Sequence, residues 1–228
     1  MNQPKPRHEL KHFINLAEAM ALRQRLSAVL QRDSHAGADG TYRVRSLYFD
    51  NFADKALQEK RDGVSQREKF RLRYYGNDPG LIKLERKAKQ RGLCQKFTAS
   101  LIAAECRRLL DGDTSWLLDR PEPVCHDLYA KMKDQLLRPR TLVDYVREAF
   151  VFQPGNVRVT LDSQIRSGLD STDFFNTGLP TVAAAAAGQI VLEIKYDEFL
   201  PDIIGDLVQV PNRQATAVSK YATCRITG

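Results

Sequence analysis

Along much of the chain apolar and charged residues alternate one for one, the period of a β-strand with two unlike faces. The alternation is plain in RHELKHF (7–13), KFRLRYYG (69–76), LIKLERKAK (81–89), VRVTLD (157–162) and VLEIKY (191–196). With its aromatic and β-branched neighbours this pattern predicts strands over 6–14, 41–50, 68–75, 80–88, 92–98, 140–152, 156–163 and 188–197. NDPG (77–80) and QPGN (153–156) read as turns between them. A helical period replaces the alternation over 16–32, where Leu16, Ala19, Met20, Leu26, Val29 and Leu30 fall on one face. Asn15 and Glu18 have the spacing of a capping box at its start. Shorter helices are predicted over 53–61, after a cap at Thr98 or Ser100 with Leu101, Ile102, Leu109 and Leu110 inward, over about 125–137, and over 201–208 behind Pro201. Residues 34–40 and 171–187 read as loops, and Ala183–Ala187 shows no packing pattern.

Closely spaced strands with helices inserted, and no linker-like stretch, predict one α+β domain over 1–228 built on an antiparallel sheet. Neither GxGxxG nor GxxxxGK[ST] occurs, so no Rossmann or P-loop nucleotide site is supported.

Composition narrows the setting. The 228 residues are 43% hydrophobic and 28% charged, as in a globular protein. No stretch reaches the roughly 20 apolar residues of a membrane span, and MNQPKPRHELKHF lacks the apolar region of a signal peptide. Cys94, Cys106, Cys125 and Cys224 are too scattered for a zinc pair or a disulfide framework, so reduced thiols and a cytoplasmic location are expected. The four histidines have no metal-ligand spacing. A formal charge of +7 favours an anionic partner without choosing it.

The placement of the charges is more selective. Residues two apart share a strand face, so Lys69, Arg71 and Arg73 oppose Phe70, Leu72 and Tyr74. Lys83, Glu85 and Lys87 likewise share a face, as do Arg158, Thr160 and Asp162, Glu193 and Lys195, Arg7, Glu9 and Lys11, and Tyr145 and Arg147. These faces hold ten basic residues and four acidic ones. One reading is a sheet with its polar face in water, where cross-strand ion pairs explain the mixed signs. The other is a closed barrel with these faces inward, lining a basic channel. Arginine and lysine there would grip phosphate oxygens, and the few carboxylates would hold Mg²⁺ or Mn²⁺. A small bore suits a phosphate chain and excludes duplex nucleic acid.

The ordered set RHELKHFI (7–14), SLYFDN (46–51), KFRLRYYG (69–76), LIKLERK (81–87), YVREAF (145–150), VRVTLD (157–162), VLEIKY (191–196) and SKY (219–221) resembles the triphosphate tunnel metalloenzymes. The nearer resemblance is to their VTC branch, the polyphosphate polymerase domain of the vacuolar transporter chaperone proteins, and it covers nearly the whole chain. It implies a closed antiparallel β-barrel decorated with helices, a triphosphate bound end-on, and a divalent metal, Mn or Mg. It implies phosphate ligands at Lys11, Arg71, Arg73, Lys87, Arg147, Arg158 and Lys220, supported by Tyr145, Lys83, Lys96, Lys195 and Ser219. It implies metal binding at Glu193, with Glu9 and Glu85 as helpers. Two departures stand out. Arg7 occupies the first position of the hydrolase branch's ExExK, which favours anion binding over metal-rich hydrolysis. Ala217 stands where eukaryotic VTC domains tend to carry another lysine.

The resulting expectation is a metal-dependent phosphoryl transferase acting on ATP, triphosphate or polyphosphate. Its rivals are a triphosphatase in the same tunnel, a polyphosphate-binding module without turnover, and an RNA-binding surface. A separately encoded membrane partner is compatible with the resemblance. The sequence does not specify oligomeric state.

Overall fold

The computed structural model describes residues 5–210 and 218–227. Its centre is one antiparallel sheet of ten strands: β1 (His8–Ile14), β2 (Gln31–Arg32), β3 (Thr41–Asp50), β4 (Arg67–Tyr75), β5 (Ile82–Gln90), β6 (Leu93–Leu101), β7 (Arg138–Phe152), β8 (Val157–Ser167), β9 (Val182–Ala183) and β10 (Ile190–Tyr196). The main order is β1-β10-β8-β7-β3-β4-β5-β6, with β2 beside β7 and β9 beside β8. Six helices cover the sheet: α1 (Leu16–Val29), α2 (Lys55–Arg61), α3 (Ala103–Leu110), α4 (Pro123–Asp134), α5 (Asp202–Leu207) and α6 (Lys220–Ile226).

The sheet curls so that its charged face lies inside and its apolar face meets α1, α3, α4 and α5, while Leu57 of α2 and Tyr221 of α6 cluster with Tyr42, Tyr48 and Tyr145 of the inner face. Phe70, Leu72, Leu84 and Leu101 pack with Leu109, Leu117 and Leu128 from α3, a 3-10 turn and α4. Leu161, Leu192 and Ile194 pack with Leu22 and Leu26 of α1 and Ile204 of α5. Burial of these apolar faces, at roughly 25 cal/mol per Å², drives the curl.

The expected closed barrel is corrected to a curled half-barrel with an open seam. Among the described residues its edges, β1 and β6, pair through backbone only at Arg7 and Cys94, with hydrogen bonds of 3.0 and 3.2 Å. The β5–β6 turn at Arg91–Gly92 ends β6 at Leu93, so β1 from His8 onward runs past its partner. A ladder needs both strands, and here one has already turned away.

Other boundaries shift for similar reasons. The Asn15–Glu18 capping box forms, with bonds of 2.9 and 2.7 Å. α1 stops at Val29, because Gln31 and Arg32 pair with β7. Its buried face is Ala19, Leu22 and Leu26, whereas Leu16 and Met20 are exposed. β6 continues through Leu101, because Ala99 and Leu101 are buried beside Leu84 and Ile82. The cap of α3 is therefore Ile102, whose N–H donates to Glu105 at 3.0 Å. The loop over 171–187 contains β9, and Ala184 and Ala185 pack against the core beside Ile165 and Val191. Helix α6 was not predicted. Ser219 caps it, accepting from the Ala222 N–H at 3.3 Å, and the Tyr221 hydroxyl lies 2.5 Å from buried Asp50. Ala217 lies outside the described residues. Among the described residues no helix is long and apolar enough to cross a membrane.

Candidate functional site

Strand register decides which side chains meet inside the curl. Glu9 is opposite Lys195 and Lys11 opposite Glu193, while Glu193 and Lys195 are opposite Thr160 and Arg158. On the other wall Lys69 faces Lys87, and Arg71 faces Glu85. Arg147 faces Asp162. The walls enclose a cavity of about 220 Å³. Eleven lysines and arginines but only Glu9 and Glu193 among carboxylates line it, counting the described residues. Arg71, Arg73, Arg158 and Glu193 thus converge on one internal cavity.

Each cation is held by a specific partner. Arg147 makes a two-pronged bond to Asp162, at 2.6 and 2.7 Å, and Lys220 reaches the same carboxylate at 2.6 Å. Arg71 bonds Glu85 at 2.7 Å and the Tyr48 hydroxyl at 2.8 Å. Arg73 donates to Ser46 Oγ at 3.0 Å and to the Tyr145 hydroxyl at 2.9 Å. Arg158 bonds Asp33 at 2.5 Å and Tyr42 at 2.8 Å. Lys11 lies 3.2 Å from both Glu9 and Glu193. Among the described residues Lys69 has no carboxylate partner; its amine donates to Ser219 Oγ at 3.0 Å.

The electrostatics follow from this crowding. Burial and neighbouring Glu193 push the Glu9 carboxyl up, but Lys87 and Lys11 outweigh them and hold it below its ordinary value. Burial also opposes ionisation of Glu193, yet Lys195 and Lys11 keep it well below the carboxylate range. Burial raises Asp162 less than Arg147 and Lys220 lower it, leaving it at about 2. Burial drops Lys195 to about 8 despite Glu193 and Glu9. Burial, with Lys87, Lys11 and Arg71 nearby, holds Lys69 well below an ordinary lysine. The cavity is short of negative charge, and an entering anion would supply it.

Most of the residues singled out from sequence line this cavity: Lys11, Arg71, Arg73, Lys87, Lys96, Tyr145, Arg147, Arg158, Glu193, Glu9, Lys195, Ser219 and Lys220. Two do not. Lys83 is outside the lining and donates to Ser100 at 2.8 Å. Glu85 stands apart from Glu9 and Glu193, beneath Arg71, Arg73 and Lys96 at 2.6, 3.8 and 2.8 Å. Three cations already engage it, so the expected three-carboxylate metal set is not gathered. Roles for Tyr48, Lys69 and Asp162 were missed. Lys69 and Asp162 carry the same period-2 signal as their neighbours. Tyr48 belongs to the row Tyr42, Ser46, Tyr48, whose hydroxyls hold Arg158, Arg73 and Arg71. The arginines of that strand are not part of the site: Arg45 is on the opposite face, bonded to Asp144 at 2.9 Å.

A divalent metal fits the site in reduced form. Glu9 and Glu193 converge on the Lys11 amine, each 3.2 Å from it, and the buried Thr160 hydroxyl opposite Glu193 has no partner among the described residues. Mg²⁺-type sites commonly combine one or two carboxylates with substrate phosphates, which this donor set allows. Among the described residues no cluster of three or more His, Cys, Asp or Glu side chains forms a metal cage.

A curled antiparallel sheet with this basic inner face defines a protein of the triphosphate-tunnel class. The VTC domain family model matches residues 6–227, and the chain belongs to that family. The resemblance drawn from its strands is borne out. No curated protein matches the sequence. Among solved structures, a proposed adenylate cyclase from Bacillus halodurans is similar in fold at 14% identity and TM-score 0.50, with 94% of this chain and 96% of that one covered. The PH1012 protein from Pyrococcus horikoshii OT3 aligns at 11% identity and TM-score 0.48, over 96% of this chain and 99% of that one.

Proposed function

We propose that this chain is a metal-dependent phosphoryl transferase that extends polyphosphate from ATP. Family membership supports phosphoryl handling of the triphosphate-tunnel type. The observation that carries the finer reading is the convergence of eleven basic side chains on a narrow internal cavity. At about 220 Å³ it lies below the roughly 300–1,000 Å³ typical of small-molecule pockets. It suits a phosphate chain threaded end-on, with the nucleoside left outside.

In this reading Lys11, Lys87, Arg71, Arg73, Arg147, Arg158 and Lys220 neutralise the phosphate oxygens, while Lys96 and Lys195 flank the chain. Asp162 orients Arg147 and Lys220, and Tyr145 and Ser46 orient Arg73. Tyr145 and Ser219 each already accept a hydrogen bond and keep a hydroxyl proton for a phosphate oxygen. Glu193 and Glu9 would hold the metal, which when bound offsets charge on the phosphate oxygens. In transfer, a terminal oxygen of the acceptor phosphate forms a bond to the γ-phosphorus. The bond from that phosphorus to the β–γ bridging oxygen breaks, and ADP leaves. The acceptor oxygen is already deprotonated, so positioning and electrostatic stabilisation suffice without a protein nucleophile. A cytoplasmic setting and a separately encoded membrane partner belong to the same proposal.

A second reading, a polyphosphate binder without turnover, is favoured by the separation of Glu85 from Glu9 and Glu193. Incubation with ATP and Mn²⁺ or Mg²⁺, with products resolved on a gel, tests both. Long chains support the polymerase. Orthophosphate alone supports a triphosphatase, and tight binding without products supports the binder.

A further inference from the structure

The bore does not end at its mouth. A vestibule of about 100 Å³ shares Lys69, Lys87 and Ser219 with the bore, and shares Arg67 and Lys89 with an outer groove of about 640 Å³. Some cations along this path are already paired, Lys87 with Glu9, and Arg86 and Lys131 with Glu68; others are not. Among the described residues no ion pair forms at Lys60, Arg67, Lys89 or Arg91. The Arg67 side chain donates to the Val64 carbonyl and, among the described residues, to no carboxylate. Arg67 and Lys89 are directly opposite on β4 and β5, and the next inward-facing pair is Lys69 and Lys87. Like charges directly opposite on neighbouring strands repel. Of these two pairs in succession leading out of the bore, only Lys87 has a carboxylate counter-charge among the described residues, Glu9, so an excess of positive charge runs outward. Burial together with Arg67, Lys11 and Lys89 lowers the pKa of Lys60 below an ordinary lysine, which marks the same shortage of anions.

We infer that this outer groove is a second binding segment that holds the distal part of a long polyphosphate chain, with Arg67 and Lys89 as its first contacts outside the bore and Lys60 and Arg91 beside them. The inference rests on the bore binding one end of the chain. A regular polyanion with charge on every unit matches a row of cations with little side-chain specificity. A lone triphosphate would be too short to reach both segments.

The test compares tripolyphosphate with long-chain polyphosphate on the full chain, using wild type, Arg67→Glu/Lys89→Glu and the milder Arg67→Gln/Lys89→Gln. Circular dichroism and melting establish that the variants fold. The expected result is a loss of about tenfold or more in long-chain affinity, with tripolyphosphate affinity unchanged. An equal loss for both ligands would overturn the inference, because these residues would then act on the bore. So would unchanged long-chain affinity. If single-stranded RNA displaced the long chain at equal phosphate concentration, its assignment to polyphosphate would be overturned. Long-chain binding that depends on Arg67 and Lys89, with no tripolyphosphate binding in wild type, would keep the groove and reject the bore reading instead.

Discussion

Lys87 on β5 donates to both carboxylate oxygens of Glu9 on β1, at 2.7 and 2.6 Å, linking the edge strand β1 by side chains to the strand next to the opposite edge, where the backbone ladder stops. The same carboxylate lies 3.2 Å from Lys11 and 3.6 Å from Lys195. One glutamate therefore competes with any incoming phosphate for three lysines. Glu9→Gln should tighten tripolyphosphate binding in the presence of chelator by on the order of 1 kcal/mol, about fivefold. It should also slow metal-dependent turnover. Weaker chelator-phase binding would mean that Glu9 organises the lysines rather than competing for them.

Glu193 sits between Lys11 and Lys195, at 3.2 and 3.4 Å, beside Glu9. Glu193→Gln preserves its shape and removes its charge. Metal-dependent turnover should fall by about 100-fold or more, with the far-ultraviolet spectrum unchanged. Turnover near the wild-type rate would remove Glu193 from the metal site.

Asp162 is fully buried and binds two cations, Arg147 and Lys220. Asp162→Asn leaves both short of a counter-charge and should cost about 3–5 kcal/mol in denaturant unfolding. Its folded pKa of about 2 lies below the ordinary 3.8. The stabilisation is therefore complete above about pH 3.8 and is lost as pH falls through about 2. Acid unfolding of wild type should contain this component, and that of the variant should lack it.

Lys69 faces Lys87 of β5, Lys11 of β1, Arg71 of its own strand and Lys60 of α2, with Ser219 as its hydrogen-bond partner. Its depressed pKa means that the folded protein binds fewer protons than the unfolded chain just below pH 10.5, so stability rises with pH there. A bound phosphate chain would restore the charge. At about pH 9, tripolyphosphate binding should take up more protons in wild type than in Lys69→Met, as measured calorimetrically in buffers of different ionisation enthalpy. Equal uptake would show that Lys69 does not recharge.

The inner wall was legible because strand periodicity sorts each strand into two faces without knowledge of its partners. Arg71 and Arg73 could be placed with Glu193 and Lys195 from that rule and the strand order of the family. What the pattern could not reveal depended on neighbours. Closure failed because the turn at Arg91–Gly92 ends β6 before β1 can pair along it. Glu85 shares the period of Lys87, yet three cations from β4 and β6 engage it, a fact of register. Tyr42, Ser46 and Tyr48 carry no charge and gave no signal, although their hydroxyls position three arginines. α6 was hidden because its seven residues are too short for a clear helical period.

The central claim is that the phosphate chain binds inside the curl. Arg71 is the sharpest probe, since its half-buried guanidinium is held on the bore wall between Glu85 and Tyr48. Calorimetric titration of Arg71→Ala with tripolyphosphate should show a loss of about 1.5–3 kcal/mol, roughly 10- to 100-fold in affinity, while the protein stays folded. Wild-type affinity in the folded variant would contradict the account, because it would place the phosphate somewhere other than the bore.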